Sequence, residues 1–204
     1  MLITGIRSKP VYAPLQPDLL GRYHVMVGHG VGATPLSRLL SDMRQAEPKA
    51  LACTRVWYVA AAAAAANGAT NAFRAAGIAE LRTFGEVDAL LADLTAAMRA
   101  ALMGTRLYVA GPESFMGLVM RIAHDFNLNR DEVRAEECGT LARRVHCIHC
   151  HSTIENVRTN IVECGCKRWL VVRDHYSRRL AAYMGVMVDA EAPGERPQIK
   201  EVFL

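Results

Sequence analysis

No stretch of this 204-residue chain holds the roughly 18–20 consecutive apolar residues of a membrane span, so a bilayer-crossing role is not expected. The opening residues lack the basic, apolar, small-residue order of a secretory leader, because Lys9 and Pro10 interrupt it early. Without a leader the chain is expected in the cytoplasm, where six cysteines read as metal ligands or free thiols and not as disulfides. Nor does any pattern of residues assign a catalytic acid, base or nucleophile. What is present is an ordinary composition, 51% hydrophobic and 22% charged, enough for one medium domain and a small module.

The stretch that organises the chain runs from Val25 to Pro35, Val-Met-Val-Gly-His-Gly-Val-Gly-Ala-Thr-Pro. A buried strand enters, glycines follow at 28, 30 and 32, and a helix starts at once with Leu36, Leu39, Leu40 and Met43 on one face. Thr34 is expected as the helix N-cap and Pro35 as its first helical residue. A strand, a turn without side chains and a helix N-terminus form a place where phosphate can approach backbone N–H groups. A tight βα turn that binds nothing would use the same glycines.

Ahead of this stretch, Pro10, Pro14 and Pro17 predict an extended arm over residues 1–21. Beyond it, Val56–Ala60 reads as a second strand. The alanine run from Ala60 to Ala66 reads as helix or as a loop leading to a helix around Thr70–Ala76. Leu81–Phe84 makes a short third strand. A long helix carries Val87, Leu90, Leu91, Leu94, Met98 and Leu102 and stops at Gly104. Arg106–Ala110 is a fourth strand ending in Gly111–Pro112. A helix from Ser114, with Phe115, Leu118, Val119, Ile122 and Phe126 inward, precedes a last strand at Val133–Ala135. Alternation at this pitch implies a parallel sheet with helices on both faces and a ligand crevice beyond the strands' carboxyl ends, where both glycine turns lie.

Gly-His-Gly-Val-Gly-Ala-Thr-Pro-Leu-Ser at 28–37 and Ala-Gly-Pro-Glu-Ser-Phe-Met at 110–116 resemble the two signatures of the ferredoxin–NADP reductase family's nucleotide domain. The resemblance covers about residues 20–138. It implies that Gly28, Gly30, Val31, Gly32 and Thr34 line an NAD(P)H pyrophosphate and nicotinamide, with Gly111 and Pro112 closing the other side. Three departures accompany it. No flavin-binding barrel precedes the domain, Ala110 stands where the reductases carry a cysteine, and the alanine run lacks an arginine or serine for the adenosine phosphate. Hydride transfer by the chain alone is therefore not expected.

Beyond Cys138 comes a second constellation, Cys147-Ile-His-Cys150 and Cys164-Gly-Cys166. Two close pairs on two turns supply four thiolates to one tetrahedral ion. Soft thiolates suit zinc or a single rubredoxin-type iron, and zinc is preferred because Cys-x-Cys departs from the rubredoxin turn. His146, His149 and His151 are expected beside the site or in solvent, not as ligands. Cys53 and Cys138 are expected as small buried hydrophobes. Trp169–Val172 and Arg179–Met184, separated by a polar Arg173–Ser177 break, read as a hairpin. So small a module needs its ion to fold. Between Thr140 and Gly185 eight arginines and lysines face three carboxylates, more than the chain's whole net charge of +4. That surface fits an acidic partner. Few aromatics interleave with the arginines beyond Trp169, Tyr176 and Tyr183, which ranks nucleic acid last. The tail from Asp189 to Leu204 is expected to order on a partner.

The expected architecture is α/β: an arm at 1–21, a parallel-sheet reductase-like nucleotide-binding domain at 22–140, a zinc-ribbon or rubredoxin-like four-cysteine module at 141–188, and an arm at 189–204. This order of parts, with Arg-Asp-His-Tyr-Ser at 173–177, is similar to the small subunits of the bacterial dimethylamine monooxygenase family, the haem-dependent oxidative N-demethylases. The resemblance implies an accessory subunit of an NADPH- and O2-dependent enzyme. It also implies a haem-containing catalytic partner subunit and a reductase partner subunit carrying FMN and a 2Fe–2S cluster. A rubredoxin-like electron carrier and a nucleic-acid-binding zinc ribbon are the alternatives.

Overall fold

A computed structural model describes residues 8–60, 63–190, 192–195 and 197–204, with side chains omitted at 63–67. The first seven residues of the expected arm, and part of the alanine run, lie outside the described residues. The chain divides into two compact units, one of residues 12–139 and one joining residues 8–11 to 140–204. The expected arm is thus shared between the units.

In the first unit, β1 (Tyr23–His29), β2 (Thr54–Val59), β3 (Glu80–Phe84), β4 (Thr105–Gly111) and β5 (Val133–Glu137) form one parallel sheet in the order β3-β2-β1-β4-β5. The chain winds outward from β1 in one direction, then crosses back to β4, so the switch of direction falls between β1 and β4. Both faces of the central strands are covered, which explains their unbroken apolar runs. Met26, Val56, Tyr58, Tyr108 and Ala110 pack under α1 (Ala33–Ala46) and α2 (Ala63–Ala75). Val25, Val27, Trp57, Val59, Leu107 and Val109 pack under α3 (Val87–Arg99) and α4 (Glu113–Asp125). On α1 the buried residues include Leu36, Leu39, Leu40 and Met43, the stripe expected from their spacing.

Several local expectations are corrected. Gly30–Gly32 forms a short 3-10 turn, and α1 starts at Ala33 with Gly32 at its N-cap, so Thr34 lies inside the first turn. Helix α2 begins at Ala63, because alanine's helical propensity prevails over a loop there. Helix α3 ends at Arg99 and leaves Leu102 exposed in a turn.

The second unit is a five-stranded sheet of β6 (Arg143–Cys147), β7 (Thr153–Val157), β8 (Ile161–Glu163), β9 (Trp169–Ser177) and β10 (Ala182–Met187), ordered β7-β6-β10-β9-β8. The expected polar break at Arg173–Ser177 is instead part of one long strand. A bulge absorbs it: Tyr183 pairs with Tyr176 and Gly185 with Val172, so three residues of β9 oppose Met184. The core holds Val145, Val157, Val172, Tyr176 and Tyr183. The end of the tail, residues 197–204, packs on its own unit. Asn160 N–H donates to the Lys200 carbonyl at 3.0 Å, Val202 N–H to Arg158 at 2.9 Å, and Leu141 N–H to Leu204 at 3.1 Å. The buried Arg143 guanidinium lies 3.9 Å from the Tyr183 ring and 3.8 Å from Phe203, and donates to Asp174 at 2.6 Å. A cation between two rings, with its carboxylate beside it, locks the tail in place.

Candidate metal centre and glycine turns

Cys147 ends β6 and Cys150 lies in the turn to β7; Cys164 follows β8 and Cys166 precedes β9. Strand β10 runs between the two hairpins. Its Gly185 lets them close, since a Cβ there would sit 2.7 Å from Val145 Cγ1 and 3.0 Å from Leu170 Cδ1. The turns share one hydrogen-bond plan despite unequal length. The Cys147 carbonyl accepts from His151 N–H at 2.9 Å while Cys147 N–H donates to the Ser152 carbonyl. The Cys164 carbonyl accepts from Lys167 N–H at 2.8 Å while Cys164 N–H donates to Arg168. His151 and Lys167, each directly after the second cysteine of its pair, take left-handed φ of 61° and 67° that curl both thiol pairs inward.

All four sulfur atoms lie within 4.8 Å of one another. Cys147 Sγ is 4.0 Å from Cys166 Sγ, and Cys150 Sγ is 3.5 Å from Cys164 Sγ. A tetrahedral ion with metal–sulfur bonds of about 2.3 Å needs sulfur–sulfur edges of about 3.8 Å. The cage therefore fits a metal ion.

Electrostatics set Cys147 apart from Cys150 and Cys164. Burial pushes Cys147 up to about 11, although the Cys150 and His149 amides donate to its sulfur. Ser152, through its hydroxyl and then its amide, brings Cys150 down to about 6. Burial opposes ionisation of Cys164, but the Ser152 hydroxyl and the Cys166 amide hold that thiol below its ordinary value. Ser152 Oγ lies 3.0 Å from Cys150 Sγ and 3.4 Å from Cys164 Sγ. Sequence reasoning missed this residue; its signal was a hydroxyl two positions after the Cys-x-x-Cys pair. Among the described residues the histidines stand outside the cage. His149 Nδ1 pairs with Arg168 at 2.9 Å, and the His146 and His151 rings meet at 5.7 Å. Cys53 is exposed, contrary to expectation, because it closes a short 3-10 segment ahead of β2. Cys138 is half-buried, and burial together with Glu136 and Glu137 raises its thiol.

The structure brings Gly28, Gly30, Val31, Gly32 and Thr34 at the end of β1 beside Gly111 and Pro112 at the end of β4, with Gly28 opposite Ala110. The fold itself uses several of these glycines. A Cβ on Gly32 would overlap the Ala110 carbonyl oxygen, and one on Gly28 would sit 2.7 Å from Leu36 Cδ1. Gly111, with φ +155°, passes His29 closely. Tyr58 Oη donates to the Gly30 carbonyl at 2.6 Å and fixes the turn. The first turn of α1 has no acidic residue and no side-chain cap. His29, which burial keeps toward its neutral form, rests 5.4 Å from the Phe115 ring.

Comparison with known proteins gives two family models in chain order. Residues 4–133 match the dimethylamine monooxygenase subunit DmmA-like N-terminal domain, and residues 144–186 match the corresponding C-terminal domain. The chain is 32% identical over 114 residues to the heme-dependent oxidative N-demethylase delta subunit of Ectopseudomonas mendocina (strain ymp). That alignment covers 55% of this chain and 65% of the relative, just under two thirds of its length. Among solved structures, phthalate dioxygenase reductase matches at 15% identity and a TM-score of 0.45, covering 69% of this chain and 46% of that one. The Amycolatopsis cytochrome P450 reductase GcoB matches at 16% identity and a TM-score of 0.43, covering 59% and 38%.

Proposed function

The chain belongs to the dimethylamine monooxygenase subunit DmmA-like family, and from that premise we propose that it is an accessory subunit of a cytoplasmic, multi-subunit haem-dependent oxidative N-demethylase. In this reading dimethylamine is oxidised with NADPH and O2 on a haem-containing partner subunit. A second partner supplies electrons through FMN and a 2Fe–2S cluster. This chain docks the two through its C-terminal module, whose fold is stapled by one zinc ion on Cys147, Cys150, Cys164 and Cys166. The observation that carries the reading is the four-sulfur cage at the mouth of two hairpins, in a unit whose own apolar core is small. The chemistry a zinc ion would supply here is structural: held by Cys147, Cys150, Cys164 and Cys166, it would offset two of the four thiolate charges and cross-link the turns.

The test is elemental analysis and an absorbance spectrum of the purified chain, then co-expression with the other subunits. Colourless protein with one zinc per chain that co-purifies with a haem protein and a flavoprotein supports the proposal. Red protein with one iron replaces it with the electron-carrier reading.

The uncapped start of α1 favours a nucleotide reading as well. NAD(P)H pyrophosphate would meet the backbone at Gly30, Val31, Gly32 and Thr34, with Gly28, Gly111 and Pro112 shaping the walls. Calorimetric titration with NADPH and NADH checks it, and absence of heat at millimolar nucleotide would end it.

A further inference from the structure

An apolar surface lies at the opposite end of the parallel sheet from the glycine turns. Two tight turns build it. In the first, Gly21 N–H donates to the Asp18 carbonyl at 3.1 Å, placing Leu19 and Leu20 at the corners. In the second, Thr105 N–H donates to Leu102 at 3.2 Å, placing Met103 and Gly104 there. Turn corners ordinarily hold Gly, Pro, Asn, Asp or Ser. Here Leu19 is 48% exposed, Leu20 89%, Leu102 61% and Met103 98%.

The turns are joined and rigid. Arg22 N–H donates to the Gly104 carbonyl at 2.8 Å, and Asp18 binds Arg106 at 2.8 Å and Arg134 at 3.4 Å. Arg22 and Arg99 stand exposed at the rim without a carboxylate partner among the described residues, whereas Asp18 and Glu132 are occupied by Arg106. Local folding therefore does not explain four large apolar side chains held in water.

We propose that the surface of Leu19, Leu20, Leu102 and Met103, rimmed by Arg22 and Arg99, docks an apolar patch bordered by carboxylates on another subunit of the complex. The inference rests on the subunit reading above and adds a second contact, on the α/β unit. Two exposed arginines without ion-pair partners among the described residues select an apolar patch edged by carboxylates. The surface sits at the amino ends of β1 and β4. Seven residues of strand, about 23 Å at about 3.3 Å per residue, separate it from the glycine turns, so docking leaves them open.

The test co-expresses the full chain with the other subunits, as wild type, L20D/M103D and R22E/R99E. Each variant changes exposed side chains and keeps wild-type thermal midpoint and metal content. Each is expected to weaken binding to the assembled partners by about tenfold or more, and R22E/R99E also flattens its salt dependence. Wild-type retention of both variants overturns the proposal while leaving the subunit reading intact. Failure of the wild-type chain itself to co-purify overturns that reading, and this one with it. A wild-type dimer that L20D/M103D dissolves assigns the surface to a second copy and overturns the proposal too.

Discussion

The two units of this chain reach a fixed structure by different means. In residues 12–139 a five-stranded parallel sheet buries Trp57, Tyr58, Tyr108, Phe73 and two layers of aliphatic helix residues. Apolar burial at about 25 cal/mol per Å2 suffices for such a core. In residues 140–204 two of the buried apolar residues are cysteines, and one cation lies sandwiched between rings. A small core of this kind gives less stability by burial than the larger α/β core, and on the zinc reading proposed above the ion adds to it. The difference teaches where each unit is vulnerable: the first to cavities, the second to loss of its cross-links.

The largest effect should come from the cage. On the zinc reading proposed above, chelation should remove a contribution on the order of 10 kcal/mol, and replacing Cys164 with Ser should remove part of it. Hydrogen exchange should then report lost protection over β6–β10 while β1–β5 stay protected; equal loss in both units would break the comparison. Leu39→Ala, at a fully buried position of α1, should lower the stability of the α/β unit by about 3 kcal/mol in denaturant unfolding and leave metal content unchanged.

Phe203→Ala removes one ring from Arg143 and should destabilise the module by about 2 kcal/mol, read as a lower thermal midpoint. Asp18 gives a pH signature in the α/β unit. Burial pushes its carboxyl up, but the hydrogen bond and charge of Arg106, with the Leu20 amide and Arg134, bring it below its usual value. A folded-state value below the unfolded one of about 3.9 means its contribution is full above that pH and is lost as pH falls through the folded value. Asp18→Asn should flatten that acid limb and cost about 2 kcal/mol at neutral pH. The smallest effect belongs to Thr34→Ala, within about 0.5 kcal/mol, since the side chain is exposed and caps nothing.

Much of this was legible because the relevant forces are local. Buried parallel strands read as unbroken apolar runs, and α1 showed its stripe at Leu36, Leu39, Leu40 and Met43. The cysteine pairs announced a cage because paired spacing has few other uses. What could not be read depended on contacts distant along the chain. The tail follows Asn160 and Arg158 because Arg143, sixty positions earlier, stacks on Phe203. The β9 bulge is set by its pairing with β10, and Ser152 gained its role from where the second hairpin places Cys164. Thr34 looked like a cap, yet the 3-10 turn had already started the helix at Ala33.

Native mass spectrometry of the full chain, before and after chelation, tests most directly the claim that four thiols hold one ion and thereby the module. The account predicts a single metal ion per chain whose removal leaves the module's amides open to exchange. A bare chain whose module amides are already protected would contradict it.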